Sequence, residues 1–399
     1  MATVACPYCY HRIDQSRLAY LCRGRSAPGV RKRCEKKVDE DRARLTNISV
    51  PMLPVFTVEA RPLLGSPAQA DCPTCQGSTG IRACPTCHTP LPSTFVDSRS
   101  PMIGIVGGKG AGKTVYTAVL HHQLRTTVRR RFDAGIRLVG DQQGGVGSSR
   151  QWLELNEETL FDDGKLFETT ASAEAGMRAP VVIEWRQPRR RLGRTTLDTT
   201  MLSFYDAAGE DQTSQDAVHT QTYLGVADGL VLLLDPWQLP GARSRISVPE
   251  ENKRDAAPPH EVLGMITEML RTTHRVKSRK KIPTPLAVVF AKMDEFFPVL
   301  GADHPLLSAP PERPGYHEPA GQDTHEQVRA LLYEYGADEI DDLLELNYSS
   351  FRYFAVSALG APPDYEAKAV DQGGVRPFRV EEPLLWLLSR FNVIDRVTE

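Results

Sequence analysis

Residues 107–114 read Gly-Gly-Lys-Gly-Ala-Gly-Lys-Thr, which fits the pattern G-x-x-x-x-G-K-[ST]. Such a loop has a definite use. Glycines let successive backbone N–H groups curl around phosphate oxygens, and a helix starting at the loop's end adds positive potential. Gly107, Gly108, Lys109, Gly110, Ala111 and Gly112 would form the cradle. Lys113 can reach the β- and γ-phosphates, and the Thr114 hydroxyl can ligate Mg²⁺. An apolar run at 102–106 precedes the loop and a helical pattern to about residue 130 follows it, so strand, loop and helix stand in the required order.

Three later segments carry chemistry of the same kind. Asp206-Ala207-Ala208-Gly209 closes an apolar strand pattern: Asp206 can hold Mg²⁺ through water, and Gly209 can turn its N–H toward a γ-phosphate. Ala291-Lys292-Met293-Asp294 ends another strand. There the Asp294 carboxylate can accept two hydrogen bonds from the N1 and N2 edge of guanine, which adenine does not offer, while the Lys292 stem lies along the base. Ser357-Ala358-Leu359 ends the next strand and can aim a backbone N–H at guanine O6.

The eight cysteines all lie within the first 87 residues, as Cys6, Cys9, Cys22 and Cys34 and then Cys72, Cys75, Cys84 and Cys87. Cys-x-x-Cys turns aim two thiolates at one metal, and two such turns complete a tetrahedral site. Thiolate ligands favour Zn²⁺ over hard cations. Taken in chain order, the cysteines give one structural zinc site from each set of four, with His11 as a spare ligand and His88 merely following its turn. Pairing between the two sets stays open. The second set resembles zinc ribbons and, more loosely, the cysteine-rich repeat of DnaJ-type chaperones; its glycine spacing departs from that repeat, so no chaperone activity is carried over.

Around these residues the chain divides into a four-cysteine module at 1–50, a linker with a short strand at 51–71, a zinc ribbon at 72–92 and a P-loop domain at 100–399. Within the last, strand patterns at 102–106, 181–186, 197–205, 229–234, 286–290 and 353–356 alternate with helical patterns at 261–276 and 382–391. The expected fold class is α/β: a mostly parallel sheet covered on both faces, with one antiparallel edge hairpin formed by the second and third strands. A stretch at about 297–345, rich in Pro, Gly and charge before its helical part, reads as an insertion.

The phosphate loop, Asp-x-x-Gly, Lys-x-Asp and Ser-Ala, in this order over residues 101–394, resemble the translation-factor-related and Ras-like (TRAFAC) class of P-loop GTPases. More narrowly, the Asp206–Glu210 turn, the Leu-Leu-Leu-Asp-Pro strand end and the preceding cysteine pairs look like the bacterial double-GTPase families, associated with conflict or signalling systems. The resemblance implies a GTP- and Mg²⁺-dependent switch. It also implies a γ-phosphate-sensing threonine before the hairpin, for which Thr170 is preferred over Thr169. Two departures stand out. The base-reading motif begins with Ala291 rather than Asn or Thr, which removes a hydrogen bond worth on the order of 1 kcal/mol. Glu210 takes the place of the water-orienting Gln, which implies slow hydrolysis or dependence on a partner.

Composition narrows the rest. A net charge of −2, from 48 basic and 50 acidic residues, argues against a chain built to coat nucleic acid or anionic membrane. No apolar run approaches the roughly 18 residues of a membrane span. The first residues carry no basic-then-apolar leader pattern, so the expected setting is the cytoplasm, where closely paired thiols bind metal rather than oxidise. The basic segment 23–37 contains no aromatic residue for stacking on bases, which favours a protein partner over nucleic acid. The leading expectation is a GTP-hydrolysing switch whose zinc modules dock a protein. The alternatives are an ATPase acting on nucleic acid and a zinc-stapled scaffold that binds nucleotide without turnover.

Overall fold

The apolar run before the phosphate loop becomes the centre of the sheet. In the computed structural model, β1 (Met102–Gly107) is followed by α1 (Lys113–Gln123), which continues through a π-helical turn at Leu124–Val128 to Arg131. Then come β2 (Gly135–Leu138), α2 (Ser149–Glu157), β3 (Val181–Arg191), β4 (Arg194–Asp206) and β5 (Gly229–Leu234). Further on come α3 (Pro259–Thr273), β6 (Leu286–Phe290), α4 (Glu318–Glu334), α5 (Asp338–Asn347), β7 (Phe351–Ala355) and α6 (Glu382–Arg390). The structure describes residues 3–46, 48–59, 66–96, 98–108, 110–139, 149–167, 180–191, 194–206, 222–246 and 257–398.

Seven strands form one mixed α/β sheet in the order β7-β6-β5-β1-β4-β3-β2. β5 pairs in parallel with both β1 and β6, and β6 pairs in parallel with β7. All six residues of β5 are buried, as expected for a parallel strand covered on both faces. Adjacent parallel strands need crossovers, and α3 and α4 fall in the β5–β6 and β6–β7 connections.

Two expectations need correcting. The β3–β4 hairpin is not at the sheet's edge, because β2 lies outside it. β2 is four residues long, with a single buried side chain, Ile136, so it gives almost no periodic signal. The stretch read as an insertion also holds the crossover helix: Val328, Leu331 and Leu332 of α4 are buried, and the Tyr353 N–H of β7 donates to His325 of α4 at 3.1 Å.

The chain resolves into two compact units, one comprising 1–102, 137–151 and 177–203 and the other 103–136, 152–176 and 204–399. In the first, small antiparallel strands surround the cysteines. Ala19–Leu21 pairs with Val55–Phe56 on one side and Arg82–Ala83 on the other. Its core joins Ile13, Leu18, Phe95, Val182 and Met201 with four of the cysteines. In the second, the ends of β1, β6 and β7 carry Gly107–Thr114, Ala291–Asp294 and Ser357–Leu359.

Candidate nucleotide site and metal centres

Glycine shapes the loop between β1 and α1. Gly110 and Gly112 have φ of 76° and 84°, in the left-handed region that Cβ-bearing residues avoid. A Cβ on Gly107 would stand 2.5 Å from the Leu233 carbonyl oxygen of β5, so the backbones approach too closely for any side chain there. Gly112 occupies the cap position of α1 and supplies no side-chain acceptor to the helix's first N–H groups. Those donors point where an anion can take them. The Lys113 ammonium donates to the carbonyls of Gly107 at 2.8 Å and Gly108 at 2.9 Å, folding back over its own loop. Ala111 is buried, while Gly108 and Thr114 are half-buried.

The Ala291–Asp294 turn converges with this loop. Lys292 adopts φ 56°, and the residues on either side are tied to neighbouring strand ends: the Ala291 N–H donates to Leu234 at 3.2 Å and the Met293 N–H to Val356 at 3.1 Å. Its ammonium pairs with Asp235 at 3.0 Å and stands 4.0 Å from the Trp237 ring centroid. The Lys292 Cε lies 4.0 Å from the point where Gly112 would carry a Cβ, which brings the two motifs side by side.

Asp294 is buried and accepts a hydrogen bond from the Ser357 hydroxyl, which itself accepts from the Gly360 N–H at 2.7 Å. Burial pushes the Asp294 carboxyl above the usual range, against the opposing pull of the Ser357 bond and Lys292. Ser357 exchanges backbone hydrogen bonds with Phe378 at 3.0 and 2.8 Å, and the Leu359 carbonyl accepts from the Arg376 N–H at 2.8 Å. These bonds fix the path through Ala358. Tyr365 donates to Glu295 at 2.9 Å and meets Trp237 edge-on at 5.7 Å.

Asp235 directly follows β5. It caps the turn Pro236–Gln238, accepting from the Trp237 N–H at 3.0 Å, and it also anchors Lys292. The roles of Trp237 and Tyr365 were missed. An aromatic after a strand-end Asp-Pro was the available signal for the first, and nothing marked the second. Asp206 ends β4, but its side chain, together with Lys109, Thr169, Thr170, Gly209 and Glu210, lies outside the described residues.

The cysteines form two quartets, and both draw on both halves of the cysteine-bearing segment. Cys6, Cys9, Cys84 and Cys87 make one, and Cys22, Cys34, Cys72 and Cys75 the other. This corrects the chain-order grouping and selects the interleaved alternative. The reason lies in the small sheet. Ala19 stands opposite Ala83 in an antiparallel pair, which sets Cys84 beside the start of that strand with Cys6 and Cys9. Cys22 is left at its far end, roughly 13 Å away at the usual strand rise, with the Ala70–Asp71/Ser78–Thr79 hairpin that carries Cys72 and Cys75.

The geometry of both quartets fits zinc. Four sulfurs about 2.3 Å from one Zn²⁺ stand about 3.8 Å from each other in a tetrahedron. The observed separations are 3.9 Å for Cys6–Cys87 and Cys9–Cys84, 3.5 Å for Cys22–Cys75 and 3.7 Å for Cys34–Cys72. All are far beyond the roughly 2.05 Å of a disulfide. Each Cys-x-x-Cys turn is followed by a left-handed residue, Tyr10, Gln76 or His88, whose N–H returns to the first cysteine's carbonyl at 3.0, 2.8 and 3.0 Å. His11 is exposed and turned to the Cys9 carbonyl, and His88 pairs with Asp39 at 2.9 Å, so neither histidine joins a quartet.

No family model matches the chain. It is 25% identical, over 418 residues spanning 98% of this chain and 99% of the relative, to the "Putative ESX-1 scaffolding and assembly protein SaeC" of Mycolicibacterium smegmatis (strain ATCC 700084 / mc(2)155). Among solved structures it is similar to the crystal structure of the S. cerevisiae Ski7 GTPase-like domain bound to GTP, at 12% identity over 73% of this chain and with a TM-score of 0.29. The chain spans 50% of that structure's length.

The loop offers backbone donors and one ammonium to a polyanion. Asp294 offers a buried acceptor beside the Lys292 stem. Ala291 cannot make the side-chain bond that an Asn would, and the Asp235–Lys292–Trp237 contacts hold the motif in its place. No helix among the described residues is long and apolar enough to cross a membrane.

Proposed function

We propose that this protein is a guanine-nucleotide-dependent assembly factor. Its P-loop unit binds GTP with Mg²⁺ and hydrolyses it slowly, and its zinc-stapled unit docks a protein partner. The observation that carries the reading is the convergence of Gly112 with Lys292 and of Asp294 with Ser357, at the ends of β1, β6 and β7. A triphosphate wrapped by Gly107–Thr114 would leave its base against the Lys292 stem and the Asp294 carboxyl. Lys113, now bonded to its own loop's carbonyls, would turn to the β- and γ-phosphates. Thr114 and Asp206 would hold Mg²⁺, and Thr170, Gly209 and Glu210 would sense the γ-phosphate and orient water. In the zinc-stapled unit each cysteine quartet would hold one structural Zn²⁺, which closes the fold around it.

A second reading shares the site without the chemistry: nucleotide binding alone regulates a scaffold. The full-length relative's name, a scaffolding and assembly protein, favours it, as does an acidic Glu210 where a neutral amide would orient water. Calorimetric titration of wild type, Lys113→Ala and Asp294→Asn with GTP, GDP and ATP tests the shared part. GTP binding at least about tenfold tighter than ATP, lost in Lys113→Ala, is expected. Tighter ATP binding would overturn the guanine assignment. Phosphate release from wild type that does not exceed Lys113→Ala leaves the scaffold reading in place of the enzyme.

A further inference from the structure

Between Cys22 and Met52 the chain presents a concentrated positive surface. Arg23, Arg25, Arg31, Lys32, Arg33, Lys36 and Lys37 are all exposed, and none forms an ion pair with another described residue. Surface charges elsewhere in this protein are commonly paired, as Arg44 is with Asp41 at 2.8 Å and Arg329 with Glu345 at 2.9 Å. The segment 23–37 carries +6, seven basic residues against Glu35, which leaves −8 on the rest of a chain whose total is −2.

This loop is not a loose basic tail. Cys22 and Cys34 tie its two ends into one quartet. Between them the Ala27 N–H donates to the Cys75 carbonyl at 3.0 Å and the Val30 N–H to Ala27 at 3.1 Å, while the Ser26 hydroxyl donates to Lys32 at 2.8 Å. Gly77 leaves room for the Arg25 carbonyl, which would stand 1.8 Å from a Cβ there. Beyond Cys34, Lys37 and Met52 exchange backbone hydrogen bonds at 2.9 Å each. The chain is therefore ordered before any partner arrives, which removes most of the entropy cost of ordering it on binding.

We infer that this metal-pinned loop is the docking surface for an acidic protein segment, a run of Asp and Glu side chains, which rests on the protein-docking half of the proposed function and not on its nucleotide half. Unpaired cations held at fixed spacing attract and orient carboxylates. Exposed Val38 adds a small apolar contact beside Lys36 and Lys37. Nucleic acid fits less well. The segment has no aromatic side chain for base stacking.

The test uses the full zinc-loaded chain and fluorescence anisotropy at physiological salt. The probes are a labelled peptide alternating glutamate with serine, a neutral glycine–serine peptide and a single-stranded RNA. One variant carries Arg31→Glu, Lys32→Glu and Arg33→Glu; the control carries Arg279→Glu and Lys280→Glu on another exposed basic stretch. Acidic-peptide binding about tenfold weaker in the first variant, and within about twofold of wild type in the control, is expected. Equal loss in both variants, no binding of the acidic peptide by wild type, or tighter and equally loop-dependent RNA binding would each overturn the assignment. Zinc content reports that the loop remains folded. GTP titration of the same variants reads the nucleotide site separately, so failure of one half leaves the other visible.

Discussion

The Lys292 stem passes 4.0 Å from where Gly112 would carry a Cβ, although 179 intervening residues separate the two in sequence. That contact brings Gly107–Thr114 and Ala291–Asp294 together, and in the proposed nucleotide pose Asp294, two residues on, would supply the acceptor. Replacing its carboxylate with an amide keeps shape and the Ser357 bond but exchanges one acceptor for a donor that would face the guanine edge of the proposed nucleotide. Asp294→Asn is expected to weaken GTP binding by roughly 10- to 100-fold, the worth of a charge-assisted bond, while ATP binding changes little. Calorimetric Kd values for both nucleotides check this, and an unchanged GTP-to-ATP ratio contradicts it.

Gly112 tests the loop's backbone separately from its charge. At φ 84° an alanine pays the left-handed penalty of about 1–2 kcal/mol, although the nearest atom, Lys292 Cε, leaves ordinary contact space. Gly112→Ala is expected to lower Tm by a few degrees and to weaken nucleotide binding by more than the stability loss alone implies. A variant with wild-type Tm and Kd would mean that the loop changes conformation freely.

Much of the second unit was legible because its signals are local. Glycine spacing marks the loop between β1 and α1, and the apolar runs of β5 and β6 have no competing reading. The cysteine pairing was not legible, because it depends on Ala19 finding Ala83, a contact between strands whose sequences carry no register information. β2 escaped for a related reason: Gly135–Leu138 acquires its strand character from its neighbour β3 and not from its own pattern. The roles of Trp237 and Tyr365 also depend on tertiary approach, since their contacts span up to 128 residues.

The two cysteine quartets should differ in how tightly they would hold zinc. Cys6, Cys9, Cys84 and Cys87 are buried with Phe95, Val182 and Met201, whereas among the described residues the other quartet has Leu53 and Phe56 packed against it and includes half-buried Cys34. A chelator titration followed by a zinc-sensitive dye is expected to release two equivalents in two phases. Cys34→Ser should abolish the faster phase and leave the first unit folded. Cys84→Ser should unfold it, because structural zinc contributes on the order of 10 kcal/mol to folding. Single-phase release, or Cys34→Ser removing both metals, would contradict the ordering.

His325 predicts an acid-sensitive step in the other unit. It is buried in α4, stacks on Tyr353 at 5.1 Å and accepts the Tyr353 N–H at Nδ1, which requires a neutral ring. Burial, with Arg329 and Arg352 nearby, holds its pKa down to about 4 from the ordinary 6.5. Because the folded value is the lower one, the stabilisation is complete above pH 6.5 and is lost as pH falls from there toward 4, by at most about 3 kcal/mol. His325→Gln keeps an acceptor for the Tyr353 N–H and removes the titration. Urea unfolding of both proteins between pH 7.5 and about 4.5 should show the wild-type curve falling more steeply. Parallel curves across that window would mean that the imidazole is protonated in the folded protein and that the Tyr353 N–H has another acceptor.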